Sequence, residues 1–119
     1  MCSSDLSAFD ALYEAFRRWA PNDFHAGWAL GDALGTAATI AHVKQLLPLS
    51  QDRSFGQARQ MIVHALGRFA KAPEVAPLLL DLIKDPDVAL HAMQALRRVL
   101  GPQVALPHIE QVEIGRAHV

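Results

Sequence analysis

The chain has 119 residues, 51% of them apolar and 19% charged, with a formal net charge of −1. That is enough for one domain with its own core, and it gives no global attraction to polyanions. No run of about 18 apolar residues is present, which excludes a transmembrane helix, and the single cysteine, Cys2, excludes a disulfide framework or a cysteine metal cluster.

The two ends are set apart from the rest. Met1–Leu6 can be encoded by GTG TGC TCT TCC GAT CT and one further base. Glu113–Val119 can be encoded by a codon ending in AG followed by ATC GGA AGA GCA CAC GTC. The two strings are reverse complements over their shared length and resemble a common sequencing adapter. Residues 1–6 and 113–119 are therefore expected to be non-native, and residues 7–112 to be a piece of a longer protein. Without Asp5, Glu113 and Arg116 the remainder carries ten basic and ten acidic residues. The first residues also lack the basic and apolar regions of a signal peptide, so the expected compartment is the cytoplasm.

Every periodic segment between the ends reads as helix. Phe9, Leu12, Tyr13, Phe16 and Trp19 form one face of a first helix that stops before Pro21. Asn22 or Asp23 is suited to cap a second helix running to about Leu34, with Gly35 as its stop. A third helix is expected from Ala37 to Leu47. Ser50–Ser54 then reads as a polar loop, with Ser54 capping a long fourth helix through Ala70. Pro73 opens a fifth helix that ends near Lys84. Asp85-Pro86-Asp87 reads as a turn, with Asp87 the N-cap of a sixth helix to Leu100. Gly101-Pro102 marks another stop and restart, and a seventh helix ends near Val112.

These helices repeat. Ala33-Leu34-Gly35 recurs 32 positions on as Ala65-Leu66-Gly67, and 30 further on as Ala95-Leu96-Arg97. Val75-Ala76-Pro77-Leu78-Leu79 recurs 30 positions on as Ala105-Leu106-Pro107-His108-Ile109. A fixed period of this size predicts stacked helical hairpins, none able to bury its apolar face alone. In that register Leu66, Leu79, Leu82, Leu96, Val75 and Ala95 are core positions. Leu30, Ile62 and Ala92 are equivalent buried positions, as are Leu34, Leu66 and Leu96.

Glu74–Leu100, EVAPLLLDLIKDPDVALHAMQALRRVL, resembles a HEAT repeat of the short bacterial type. The resemblance lies in proline early in the first helix, the Asp-Pro-Asp turn, and Ala-Leu late in the second helix, and it extends over about residues 24–112. It implies an all-α, α-α superhelix of antiparallel helix pairs, of about seven helices here, that binds a protein partner. There are departures. The period is shorter than that of long HEAT units. Arg59 keeps the arginine that often opens the second helix, whereas Gly27 and Ala89 replace it. The turn before the fourth helix is longer and lacks proline. A regular ladder of aspartate–arginine contacts is therefore not expected.

Candidate chemistry is sparse. His25, His42, His64, His91 and His108 fall on five helices, with no two spaced by three or four residues as helical metal sites commonly are. Some HEAT-like proteins hold a di-iron centre through His-Glu pairs, and this chain has no His-Glu dipeptide. No metal or other cofactor is expected. Ser7, Ser50 and Ser54 lie at expected helix ends or in the loop, where capping accounts for them, and no catalytic residue is assigned. Gly31 and Gly35 are explained by close helix packing and a C-cap. Arg17, Arg18, Arg53, Arg59, Arg68, Lys71, Arg97 and Arg98 are the residues a nucleic-acid surface would use, but near-zero net charge argues against one. HEAT-like DNA glycosylases use aromatics and an aspartate, for which Trp19, Trp28 and Asp32 could stand. Trp19 reads better as the end of the first helix's apolar stripe.

A polar stripe on the second helices remains. It comprises Ala29, Asp32 and Thr36, then Met61, His64 and Arg68, then His91, Gln94 and Arg98. Stacking would bring these triplets side by side on an inner face. Asp32, Met61, His64, Arg68, His91, Gln94 and Arg98 are the candidate partner-binding residues, for another protein of unknown identity. The resemblance also allows an enzyme or enzyme-associated subunit, bilin-lyase-like or DNA-glycosylase-like, with catalytic residues outside this stretch. Finally, Val104, Leu106, Ile109 and Val112 cover more than one side of the seventh helix. Exposed apolar side chains and self-association through that helix are expected.

Overall fold

The computed structural model describes residues 7–117, with side chains through Glu113. The expected non-native segment 1–6 and the end of 113–119 lie outside the described residues. Seven α-helices and no strand occur among the described residues: α1 (Ala8–Trp19), α2 (Phe24–Ala37), α3 (Val43–Gln51), α4 (Gln60–Leu66), α5 (Val75–Leu82), α6 (Ala89–Leu100) and α7 (Pro102–Ala117). Short 3₁₀ segments, Ile40–His42 and Arg53–Arg59, precede α3 and α4. The core is one continuous apolar cluster running from Phe9 to Ile109.

The packing alternates between two rows. α1 lies against α2, α3 against α4, and α5 against α6, while α2, α4 and α6 also pack side by side. α7 rests on α6, and the described residues measure 56 × 32 × 16 Å. All six residues placed in the core from the repeat register are buried: Leu66, Leu79, Leu82, Leu96, Val75 and Ala95. Leu34, Ile62 and Ala92 are likewise fully buried, and Leu30 is half-buried.

The row of α2 and α4 is drawn tight by small residues at every fourth position of α2. A Cβ on Gly31 would lie 2.9 Å from the Ala58 carbonyl oxygen, and one on Gly35 would lie 2.8 Å from Ala65 Cβ. Gly35 is thus not the stop expected of it. It is a contact point inside a helix that continues to Ala37.

Several expected boundaries are corrected. The long fourth helix is broken, because Gly56 adopts φ 55°, ψ −136°, a region that suits only glycine. Asp52, not Ser54, caps that segment, its Oδ1 accepting from the Ser54 N–H at 3.0 Å and from the Ser54 Oγ–H at 2.6 Å. Ser50 is not in a loop. It is buried within α3, and its hydroxyl donates back to the Leu46 carbonyl at 2.9 Å. α4 stops at Leu66 rather than Ala70, since from Gly67 onward the N–H groups bond three residues back. α5 begins at Val75, two residues after the Pro73 start expected of it. Asp87 does not cap α6. It donates its own N–H to Asp85 Oδ1 at 3.1 Å, and α6 starts at Ala89. α7 continues beyond Val112 to Ala117.

The first helix meets its caps as expected. Ser7 accepts from the Asp10 N–H, and Asp23 accepts from the Ala26 N–H at the start of α2. Phe9 and Phe16 are buried, but Trp19 is 50% exposed. It lines an outer depression with Ala15 of α1, Asp23, and Ala26, Ala29 and Leu30 of α2, and the Arg18 guanidinium is 5.7 Å from its ring centroid.

Candidate functional site

α2, α4 and α6 lie side by side, with α4 in the middle, along one face. The side chains that point away from the core there surround a shallow recess of about 190 Å³. Gly35 and Ala65, the residues of closest α2–α4 approach, form part of its lining, which keeps the recess shallow. Around them stand Asp32 and Thr36 from α2, Met61 and His64 from α4, Arg68 just beyond α4, and Arg98 from α6.

Five of the seven candidate residues are thereby brought together: Asp32, Met61, His64, Arg68 and Arg98. Gln94 is exposed on α6 but does not line the recess, and His91 is half-buried outside it. Asp32, Arg68 and Arg98 are exposed, while Met61 and His64 are half-buried.

Each arginine is held differently. Arg68 donates from Nη2 to the Ala38 carbonyl at 2.9 Å, so it caps the C-terminal end of α2 as well as facing the recess. Its guanidinium also lies 5.0 Å from the centroid of the Phe69 ring, a cation–π contact. Arg98 lies along the α4–α6 contact. A Cβ on Gly67 would be 3.2 Å from its Nη1 and 3.3 Å from its Cδ. Glycine at that position leaves the channel in which the Arg98 side chain rests.

His91 lies beside this face on α6. Burial, and then the nearby charge of His64, hold its imidazole below the usual histidine range. Its Nδ1 is buried without a hydrogen-bond partner among the described residues. Both effects favour the neutral ring.

The residues that do most to join the repeats were not singled out as a site. Arg59 is fully buried, and its Nη1 donates to the Ser50 carbonyl at 2.8 Å and lies 3.0 Å from Asp85 Oδ2. Its Nε donates to the Gly56 carbonyl at 2.8 Å, and its Nη2 is 3.6 Å from Asp87 Oδ2. A second strut runs beside it. Trp28 Nε1 donates to Gln60 Oε1 at 3.2 Å, and Gln60 Nε2 donates to the Asp87 carbonyl at 3.1 Å. Together they tie α2, α4 and the turn before α6. His42 is also structural: its Nδ1 accepts from the Thr39 N–H at 2.9 Å and its ring stacks on Phe9 at 3.8 Å. The signal for Arg59 was its place opening the second helix of a unit, opposite an Asp-Pro-Asp turn.

Chemically, the recess offers two guanidiniums, one carboxylate and an imidazole. The Thr36 hydroxyl also lines it and donates to the Asp32 carbonyl at 2.9 Å, and the described residues hold no cluster of three or more His, Cys, Asp or Glu that could bind a metal. No protein-family model, no curated protein and no solved structure matches the chain.

Proposed function

We propose that this chain is a HEAT-like repeat module that engages another protein through the face made by α2, α4 and α6. One observation carries the reading. Residues at repeat-equivalent positions of the three helices, chosen by their spacing alone, line a common recess with exposed polar ends. The alternating packing of first and second helices supports the same view, as does the buried Arg59–Asp85 pair between consecutive hairpins. A large, shallow, mixed-polarity surface is how stacked-repeat proteins hold partners.

Photo-crosslinking residues at exposed positions test it. Placed at Gln94 or Thr36, on the proposed face, they should yield one discrete adduct in extract of the expressing cells. The adduct should disappear when His64 and Arg98 are replaced by alanine. The same probe at Asp81 or Lys84, exposed near the end of α5, should yield none. Equal adducts from both faces, or none from either, would dismiss the reading.

Self-association through α7 belongs to this proposal as a second contact. Val104 is 54% and Leu106 41% exposed, whereas Ile109 is buried against the preceding unit and Val112 is half-buried. Exposed apolar side chains on one helix favour association. Sedimentation should show a concentration-dependent dimer or larger species that Val104→Gln with Leu106→Gln abolishes. A monomer at all concentrations in the unaltered chain would refute it.

A further inference from the structure

We infer that the recess between α2, α4 and α6 is a carboxylate clamp, in which Arg68 and Arg98 grip an acidic segment of the partner protein. The inference rests on the reading of this face as a protein-binding surface and specifies the chemistry of what it binds.

Charge comes first. The ion pairs among the described residues all belong to Arg53 and Arg59. Arg68 and Arg98 have no carboxylate within 4 Å among those residues, although Asp32 lines the same recess. Two guanidiniums face one carboxylate, so the lining has an excess of positive charge that is not internally neutralised. Guanidinium is the group whose fork of N–H donors matches a carboxylate in bidentate fashion.

Organisation comes second. Arg68 is fixed by the Ala38 carbonyl and by Phe69, and these contacts use one Nη2 bond and a ring face, leaving its remaining N–H donors for a ligand. Arg98 is laid in the channel that Gly67 opens. Side chains already held in place lose less rotamer freedom on binding, which favours a specific contact over a diffuse one.

Size and surroundings then choose between acidic partners. About 190 Å³ accommodates acidic side-chain ends. No phenylalanine, tyrosine or tryptophan ring lines the recess to stack a nucleobase, and two guanidiniums with one opposing carboxylate, Asp32, suit single carboxylates better than a row of phosphates. With a formal net charge of −1, the chain as a whole has no field that would draw in a nucleic-acid backbone. An acidic peptide segment is the ligand these features fit.

Fluorescence anisotropy of a labelled octaglutamate peptide tests the clamp, with a labelled eight-residue oligothymidylate as the second arm. Peptide binding should weaken about tenfold or more in Arg98→Ala and be lost in Arg98→Glu. Arg97→Ala should change it by less than about twofold, because Arg97 is exposed on the same helix but does not line the recess. Arg68→Lys, which keeps the positive charge but lacks the fork, should weaken binding. No binding of the peptide, equal effects of Arg97→Ala and Arg98→Ala, or equal or tighter binding of the oligonucleotide would overturn the clamp. If those results came with intact crosslinks from Gln94 and Thr36, only the clamp would fall. Loss of the crosslinks as well would remove the binding face itself.

Discussion

Replacing Arg59 by methionine is expected to cost about 3–5 kcal/mol of folding stability, the range for removing one partner of a buried ion pair. The side chain has no exposed surface, yet it answers two backbone carbonyls, those of Ser50 and Gly56, and the Asp85 carboxylate. Methionine fills similar space but donates nothing. The loss leaves Asp85, itself only 4% exposed, with its Asp87 N–H bond and the long contact to Arg53 at 3.7 Å. Equilibrium urea unfolding measures the effect. Adding Asp85→Asn to the methionine variant should recover part of it, because a neutral amide tolerates burial better than an unpaired charge. A cost below about 1 kcal/mol would show that the network is not a structural joint.

The same pair sets an acid limb to stability. Burial acts to raise the Asp85 carboxyl, but the Arg59 hydrogen bond, the Asp87 N–H and the charges of Arg59 and Arg53 outweigh it and hold the group below its ordinary 3.8. A carboxyl depressed in the folded state contributes stability that is complete above its unfolded value. That stability is lost as pH falls through the folded one. Unfolding free energy should therefore be flat for this group above about pH 4 and decline below it. In the methionine variant that part of the decline should shrink. An acid limb from Asp52 should remain, since the Ser54 hydroxyl and N–H are the main groups that lower it.

What could be read from the sequence follows the range over which each interaction acts. The helices and their core faces depend on periodicity, which is local, so Leu66, Leu79 and Leu96 could be placed in the core from spacing alone. Ends of helices depend on single caps and φ values. Ser54 and Asp52 are both good caps two residues apart, and only the conformation at Gly56 decides between them. Arg59 stands out by its place opening a second helix, but its joint with Asp85 depends on two turns from different hairpins meeting. Trp19 failed for a related reason. It continues the stripe of Phe9 and Phe16, but the small residues Ala26 and Ala29 that α2 sets beside it leave half of its surface open. The repeated spacing placed Asp32, Met61, His64, Arg68 and Arg98 round one recess but not His91 and Gln94. That Arg68 also caps α2 was not legible, since its acceptor belongs to another helix.

Leu66→Ala and Leu96→Ala are each expected to cost about 2–5 kcal/mol, and Leu66→Ala is expected to cost more. Both leucines are fully buried at equivalent positions of neighbouring helices, so the lost transfer energy is the same. The difference lies in whether the space left behind can close. α4 cannot move toward α2, because Gly35 already meets Ala65 so closely that a Cβ would be 2.8 Å away. Nor can it move toward α6, where a Cβ on Gly67 would come within 3.1 Å of Ala95 Cα. A void beside Leu66 therefore stays open, and its cost grows with the volume that remains. α6 is confined by α4 on one side, but on the other it carries α7, and among the described residues no glycine contact locks those two together. α7 can settle into part of the space left by Leu96, which places that variant at the lower end of the range. Leu90→Ala is the reference, since Leu90 is 64% exposed on the same helix and its loss should stay within about 0.5 kcal/mol. Urea unfolding of the three variants gives the comparison directly. Equal costs for the two buried leucines would mean that the glycine contacts do not restrain α4, and a melting temperature unchanged by either would mean that the repeat register itself is wrong.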